Sequence, residues 1–129
     1  MFDITTDYYR QVIAKAVSGN GNTLTTASTI AVGTGGVDAN GNPLTPASTD
    51  TGLYREVLRK NISSAQISYP ASNQAQFSIT VNPNDLPANT QINEIGVFDN
   101  AGKLMTKSTF YSKATDGSTT MVFNVAMNF

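Results

Sequence analysis

Apolar and polar positions alternate most regularly at the end of the chain. There Met121, Phe123, Val125, Met127 and Phe129 alternate with Val122, Asn124, Ala126 and Asn128. A period of two is that of a strand with one covered face, and it predicts a terminal strand tied into a sheet. The same period runs through Phe77, Ile79 and Val81 against Gln76, Ser78, Thr80 and Asn82, and Pro83, Asp85 and Pro87 close that strand. Between the two lies Ile92-Asn93-Glu94-Ile95-Gly96-Val97-Phe98-Asp99, which meets Asn100-Ala101-Gly102 and resumes with Leu104 and Met105. A β-branched and aromatic run, a turn with Gly near its end and a second apolar run predict a hairpin. Simple alternation turns Ile95 and Val97 to one face and Ile92 and Phe98 to the other, so both faces require cover. The cover would come from two layers of one domain, or from one layer plus a neighbouring subunit.

The period changes to 3.6 near the N-terminus. Tyr9, Val12, Ile13, Ala16 and Val17 fall on one helix face, with caps available from Thr5, Thr6 and Asp7, a stop at Gly19, and Arg10 and Lys15 off the stripe. A turn from Asn20 to Thr26 then leads into a strand through Thr29-Ile30-Ala31-Val32, which runs into Gly33-Thr34-Gly35-Gly36. A glycine-rich loop after a strand raises the case of a phosphate cradle, but no Gly-Lys-Ser/Thr follows and no helix opens there. Residues 37–50 form the longest irregular stretch. In it Asp38, Asn40 and Asn42 imitate the first ligands of a calcium loop, while Pro43 stands where that loop needs Gly and Thr49 where it needs Glu. A solvated turn is the better reading, and a stretch of this length is a candidate partner surface. For residues 51–60 the pairs Leu53/Val57 and Tyr54/Leu58 suggest a helical turn, followed by a strand from Asn61 to Ser68. Tyr69 to Asn73 and Thr115 to Ser118 read as turns, with a further strand from Thr106 to Tyr111. The sum is one domain over residues 1–129, α+β but mainly β: an antiparallel, sandwich-like module of six or seven strands with one N-terminal amphipathic helix.

Composition narrows the chemistry. The 129 residues include no Cys and no His, which excludes disulfides, thiolate nucleophiles, His-based metal sites and His relays. Charged residues make up 13% against about 25% in an average domain, and the net charge is −1, which suits neither a polyanion nor an anionic membrane. Arg55, Arg59 and Lys60 are the one concentration of positive charge, and Glu56 interrupts them; this is a solvated face rather than a nucleic-acid patch. The start of the chain has no signal-peptide pattern and no segment approaches transmembrane length, so the chain reads as soluble. No cofactor and no metal are expected. Asp and Glu are the only general acids available, and Glu94 has no partner base. Its burial in an apolar strand predicts fixed hydrogen-bond donors or a place at the rim, and a structural rather than a catalytic role.

Asn93-Glu94-Ile95-Gly96-Val97-Phe98-Asp99-Asn100-Ala101-Gly102-Lys103-Leu104 resembles the Glu-Ile-Gly-[aliphatic]-Phe-Asp-x-x-Gly-x-Leu signature of the N-terminal domain of phage tail-collar fibre proteins. The Thr-rich helix start, Ile30-Ala31-Val32-Gly33 and Leu53-Tyr54-Arg55-Glu56-Val57 resemble that family's other segments in the same order, so nearly the whole chain is covered. The resemblance implies a non-enzymatic virion tail protein that anchors or adapts a receptor-binding fibre to the tail or baseplate. Its partners would be other tail or baseplate proteins and a fibre chain, and self-assembly, with a trimer as the expected state, would follow. Because the chain ends at Phe129, just after the anchoring domain, the resemblance implies an adaptor whose fibre is another chain. Ile92, Glu94, Ile95, Gly96, Phe98, Asp99, Gly102 and Leu104 are then the candidate interface or structural motif. Tyr9, Ile92, Phe98, Met105, Phe110 and Met121 are core or interface. A competing reading is a carbohydrate-binding or adhesin-like module that stacks sugars on Tyr8, Tyr54, Tyr69 and Tyr111.

Overall fold

A computed structural model describes residues 2–19 and 21–129. The elements in chain order are β1 (Phe2–Thr5), α1 (Asp7–Val17), β2 (Ala27–Gly33), β3 (Glu56–Asn61), a 3-10 turn (Ser64–Gln66), β4 (Ile67–Ser68), β5 (Gln74–Val81), β6 (Gln91–Asp99), β7 (Leu104–Ala114) and β8 (Met121–Asn128). Two antiparallel sheets result, one in the order β1-β7-β6-β2-β3 and one in the order β4-β5-β8. The fold is therefore mainly β with a single helix, as the periodicities predict. Eight strands are described, because short β1 and β4 carry too few residues to show a period.

The helix starts where the sequence offers a cap. Thr6 takes extended backbone angles and its Oγ1 accepts from the Tyr9 N–H, while the same hydroxyl donates to the Leu104 carbonyl at 2.7 Å. One side chain thus closes the helix start and ties it to the first residue of β7. Gly19 follows at φ +75, as a helix stop requires. Tyr9 is buried and Val12 and Ile13 pack partly on the core, but Val17, the last residue of the expected stripe, is exposed. The turn expected from Asn20 begins outside the described residues.

The core lies between the two sheets. Ile30, Val32, Ile95, Val97 and Met105 from the larger sheet meet Phe77, Ile79, Val81, Phe123, Val125 and Met127 from the smaller. The Phe110 and Phe123 rings stack across the gap with centroids 5.8 Å apart. Ile92 joins this same core, contrary to the face assigned to it by simple alternation. The pairing of β6 with β7 shifts register between Ile92 and Glu94, and a bulge of this kind carries a side chain to the opposite face. A second shift between Val97 and Phe98 leaves Phe98 on the outer face with Ala31, Leu104 and Leu53.

Residues 51–60 depart from expectation too. There is no helical turn: Leu53 and Tyr54 are irregular, and Glu56–Asn61 is already β3, paired along β2 from Thr29↔Asn61 to Gly33↔Glu56. Pairing with β2 satisfies this backbone along its length, which outweighs two i,i+4 contacts that propensity alone would favour.

Candidate functional site

The outer face of the larger sheet carries small residues at its centre. Ala31 pairs with Gly96 and Gly33 with Glu94, so the centre of β2 and β6 rises little above the backbone. The irregular segment from Thr34 to Arg55 lies across this floor, and Leu53 seats on Gly96, where an added Cβ would stand 3.0 Å from the Leu53 Cδ2 and 2.9 Å from the Leu104 Cδ1. The segment therefore supplies the second cover that the two-sided strand requires. It is a packed part of the domain.

Glu94 fastens it. The carboxylate is fully buried and accepts three backbone N–H groups, from Tyr54 at 2.7 Å, Arg55 at 2.8 Å and Gly35 at 2.9 Å. Asn93 repeats the device beside it, its Oδ1 accepting the Gly36 N–H at 2.7 Å and its amide donating to the Ser112 hydroxyl. Of the two placements open to Glu94, fixed donors and not the rim is the observed one. The donors reach so closely because the chain there is glycine: a Cβ on Gly33 would lie 2.4 Å from the Arg55 carbonyl oxygen, and one on Gly36 2.4 Å from that of Asn93. The glycine run weighed as a phosphate cradle serves instead to let backbone cross backbone, and its N–H groups at Gly35 and Gly36 are spent on β6 side chains.

Lys107 completes the arrangement, and sequence reasoning missed it. On β7 opposite Gly96, it is fully buried, with its ammonium 3.9 Å from the Glu94 carboxylate, 3.3 Å from Asp50 and 3.1 Å from the Gly52 carbonyl. The Tyr54 ring lies against it, centroid 3.2 Å away. Two carboxylates, a carbonyl and a ring face thus compensate one buried ammonium, and three of the four belong to the covering segment. A lysine in the middle of a strand was the only signal, and it resembles any solvent-facing lysine.

At the other end of β6, Asp99 organises the hairpin turn. Its Oδ1 accepts the N–H groups of Ala101 and Lys103 at 3.0 Å, and Gly102 takes φ +79. Its Oδ2 accepts the hydroxyls of Tyr8 and Thr25, both at 2.7 Å, which joins the turn to α1 and to the approach to β2. Burial pushes this carboxyl up, but the Lys103 N–H, the Thr25 and Tyr8 hydroxyls and the Ala101 N–H outweigh it and hold the group below its ordinary value. The same contact with Asp99 raises the Tyr8 phenol. Phe98, next to this turn, carries the Arg59 guanidinium over its ring at 3.9 Å, with Arg59 also forked onto Glu56.

The motif residues Glu94, Gly96, Phe98 and Leu104 therefore gather on one face beneath the covering segment, Asp99 and Gly102 shape the turn, and Ile92 and Ile95 point into the core. The other candidates stay apart. Asp38 uses its Oδ1 on the N–H groups of Asn40 and Asn42, as a turn does. Tyr8 and Tyr54 are committed to the contacts above, Tyr69 lines a shallow apolar depression with Phe129 and Leu24, and Tyr111 is exposed on β7. No helix among the described residues is long and apolar enough to cross a membrane.

The fold and the hairpin define a structural module whose buried charges and close glycines fasten one stretch of backbone to another. The family model for the phage tail-collar fibre protein N-terminal region matches residues 1–122, and the chain belongs to that family of phage tail structural proteins. A comparison with curated proteins found no match.

Proposed function

We propose that this domain anchors or adapts a receptor-binding fibre to the tail or baseplate of a bacteriophage, in contact with neighbouring tail proteins and with a fibre chain, and without catalysing a reaction. The observation that carries this reading is the family match over residues 1–122, which includes every residue of the fastened hairpin. The physical design supports it. A mechanical link must hold its shape under load, and here the one long irregular segment is tied to the sheet by buried charge-assisted hydrogen bonds. Burial of surface against neighbours, not chemistry at a cleft, would then be the mechanism. Immunogold labelling of intact virions tests it, with antibody against this chain expected at the fibre attachment region of the tail. Absence of label from the tail, or label on the capsid alone, overturns the proposal.

A further inference from the structure

Lys107 and Asp50 stand as two reactants as well as an ion pair. The Lys107 side chain is fully buried, with its Nζ 3.3 Å from Asp50 Oδ2 and 3.9 Å from Glu94 Oε1. The Tyr54 ring closes over the nitrogen, its centroid 3.2 Å away. An amine and a carboxyl held together out of water, beside a second carboxyl, supply the nucleophile, the electrophile and the proton carrier of an amide condensation.

The surroundings of Asp50 favour reaction there. Its Oδ2 accepts the Ala47 N–H at 3.1 Å and the Tyr54 hydroxyl at 3.3 Å, and such donors stabilise negative charge on that oxygen as the carboxyl carbon becomes tetrahedral. Burial and the nearby Asp50 charge raise the Tyr54 phenol, which keeps its hydroxyl a donor. Asp50 also lines a cavity of about 290 Å³ with Tyr8, Thr51, Gly102, Lys103 and Leu104, which gives a departing water somewhere to go. Glu94 is the farther carboxyl and is held by three backbone N–H groups, so it suits proton transfer and Asp50 suits bond formation.

We propose that Lys107 and Asp50 condense into an intramolecular isopeptide bond. One proton passes from the ammonium to the Asp50 carboxylate, and the neutral Nζ attacks Asp50 Cγ while Oδ2 takes the negative charge. A second proton moves from the attacking nitrogen through Glu94. Both protons end on Oδ1, the Cγ–Oδ1 bond breaks, and that oxygen leaves as water. One C–N bond replaces one C–O bond, nothing is oxidised or reduced, and no co-reactant is needed. Two buried charges become one neutral amide, so a dry site that penalises the ion pair favours the product. The bond closes the loop from Asp50 to Lys107 and staples the covering segment to β7, in a chain with no cysteine to do so by a disulfide.

Intact mass spectrometry of the purified full chain is expected to find it lighter than its sequence mass by one water. A tryptic digest is expected to contain residues 16–55 joined to 104–113, uncut after Lys107 because an acylated lysine is no longer a trypsin site. Lys107→Arg and Asp50→Ala are each expected at full mass. Glu94→Gln, followed by mass from the time of synthesis, is expected to link at least tenfold more slowly. A parent chain at its full sequence mass, or a lost water that maps to another residue such as Asp116 before Gly117, overturns the proposal. Linking at the parent's rate in Glu94→Gln overturns the part given to that carboxylate. The bond does not depend on tail anchoring: label on the virion tail with an unlinked chain would separate the two readings.

Discussion

Replacing Glu94 with Gln is the sharpest perturbation of the fastening, because it keeps the shape and removes the charge. With its oxygen toward Gly35 and Arg55, the new amide turns its NH2 at the Tyr54 N–H, now 2.7 Å from an acceptor, and two donors face each other. An orphaned buried donor costs about 1–3 kcal/mol, and the two remaining bonds lose their charge assistance at about 0.5–1.5 kcal/mol each. Lys107 keeps Asp50 and the Gly52 carbonyl, so its own loss is partial. The sum is roughly 2–6 kcal/mol, a large part of the 5–15 kcal/mol typical of a domain. For a chain of this size the unfolding midpoint is expected to fall by roughly 10–20 °C.

Thermal unfolding followed by circular dichroism measures the total, and amide hydrogen exchange locates it. Protection is expected to fall first at Gly35, Tyr54 and Arg55, ahead of β5 and β8. A double-mutant cycle adds a check: Glu94→Gln with Lys107→Met is expected to cost less than the two single changes summed, because each alone takes one compensating charge from a partner left in a dry site. If Glu94→Gln unfolds within about 1 kcal/mol of the parent and leaves exchange at those three amides unchanged, the carboxylate is not what holds the segment, and the reasoning fails.

Glycine substitutions separate crowding from backbone strain. Gly36→Ala would set a Cβ 2.4 Å from the Asn93 carbonyl oxygen and is expected to cost about 3 kcal/mol or more by urea unfolding. Gly102→Ala meets open space but must hold φ +79, and is expected to cost only about 1–2 kcal/mol. Asp99 has its folded pKa depressed below 3.8, so its contribution is fully present above that pH and is lost as pH falls through the lower, folded value. The difference in urea midpoint between the parent and Asp99→Asn is therefore expected to be constant from pH 7 to about 5 and to shrink steadily toward pH 2. Asp116, held by the Ser118 N–H and by the hydroxyl and N–H of Thr119, is lowered to about 2, and carboxyl NMR titration is expected to find its midpoint there.

Where a residue's partner is local in sequence, the chain could be read directly. Thr6 caps a helix three residues ahead of the N–H it accepts, Asp99 bonds Ala101 and Lys103 within its own turn, and β5 and β8 show their buried faces because every second residue is apolar. Bulges have no such signature. The irregularity between Ile92 and Glu94, where the register shifts by two residues, moves Ile92 to the core, and it depends on how β7 lies beside β6, a matter of geometry between strands a turn apart. The start of β3 was hidden for the same reason, since only β2 makes Glu56 a strand residue.

Buried charge lay furthest from view. Glu94 announced itself by standing between Asn93 and Ile95 in an apolar strand, and its need for donors could be inferred from desolvation alone. Its donors could not, for they are backbone groups about 40 and 59 residues distant, and backbone donors carry no side-chain label. Lys107 gave less still, because a long side chain in a strand ordinarily reaches water, and its burial becomes tolerable once the Tyr54 ring, the Gly52 carbonyl and the Asp50 carboxylate are brought over it beside Glu94. The dependence runs both ways. Without the covering segment Glu94 and Lys107 would face water and have no reason to be ordered, and without those two charges the segment would keep Leu53 over Gly96, the Asn93 bond to Gly36 and the bonds of Leu44 and Ser48 to Thr109 and Asp7, but lose the fastening of its last turn. Segment and charges therefore bury one another, which is why the fastening is expected to unfold as a unit rather than bond by bond.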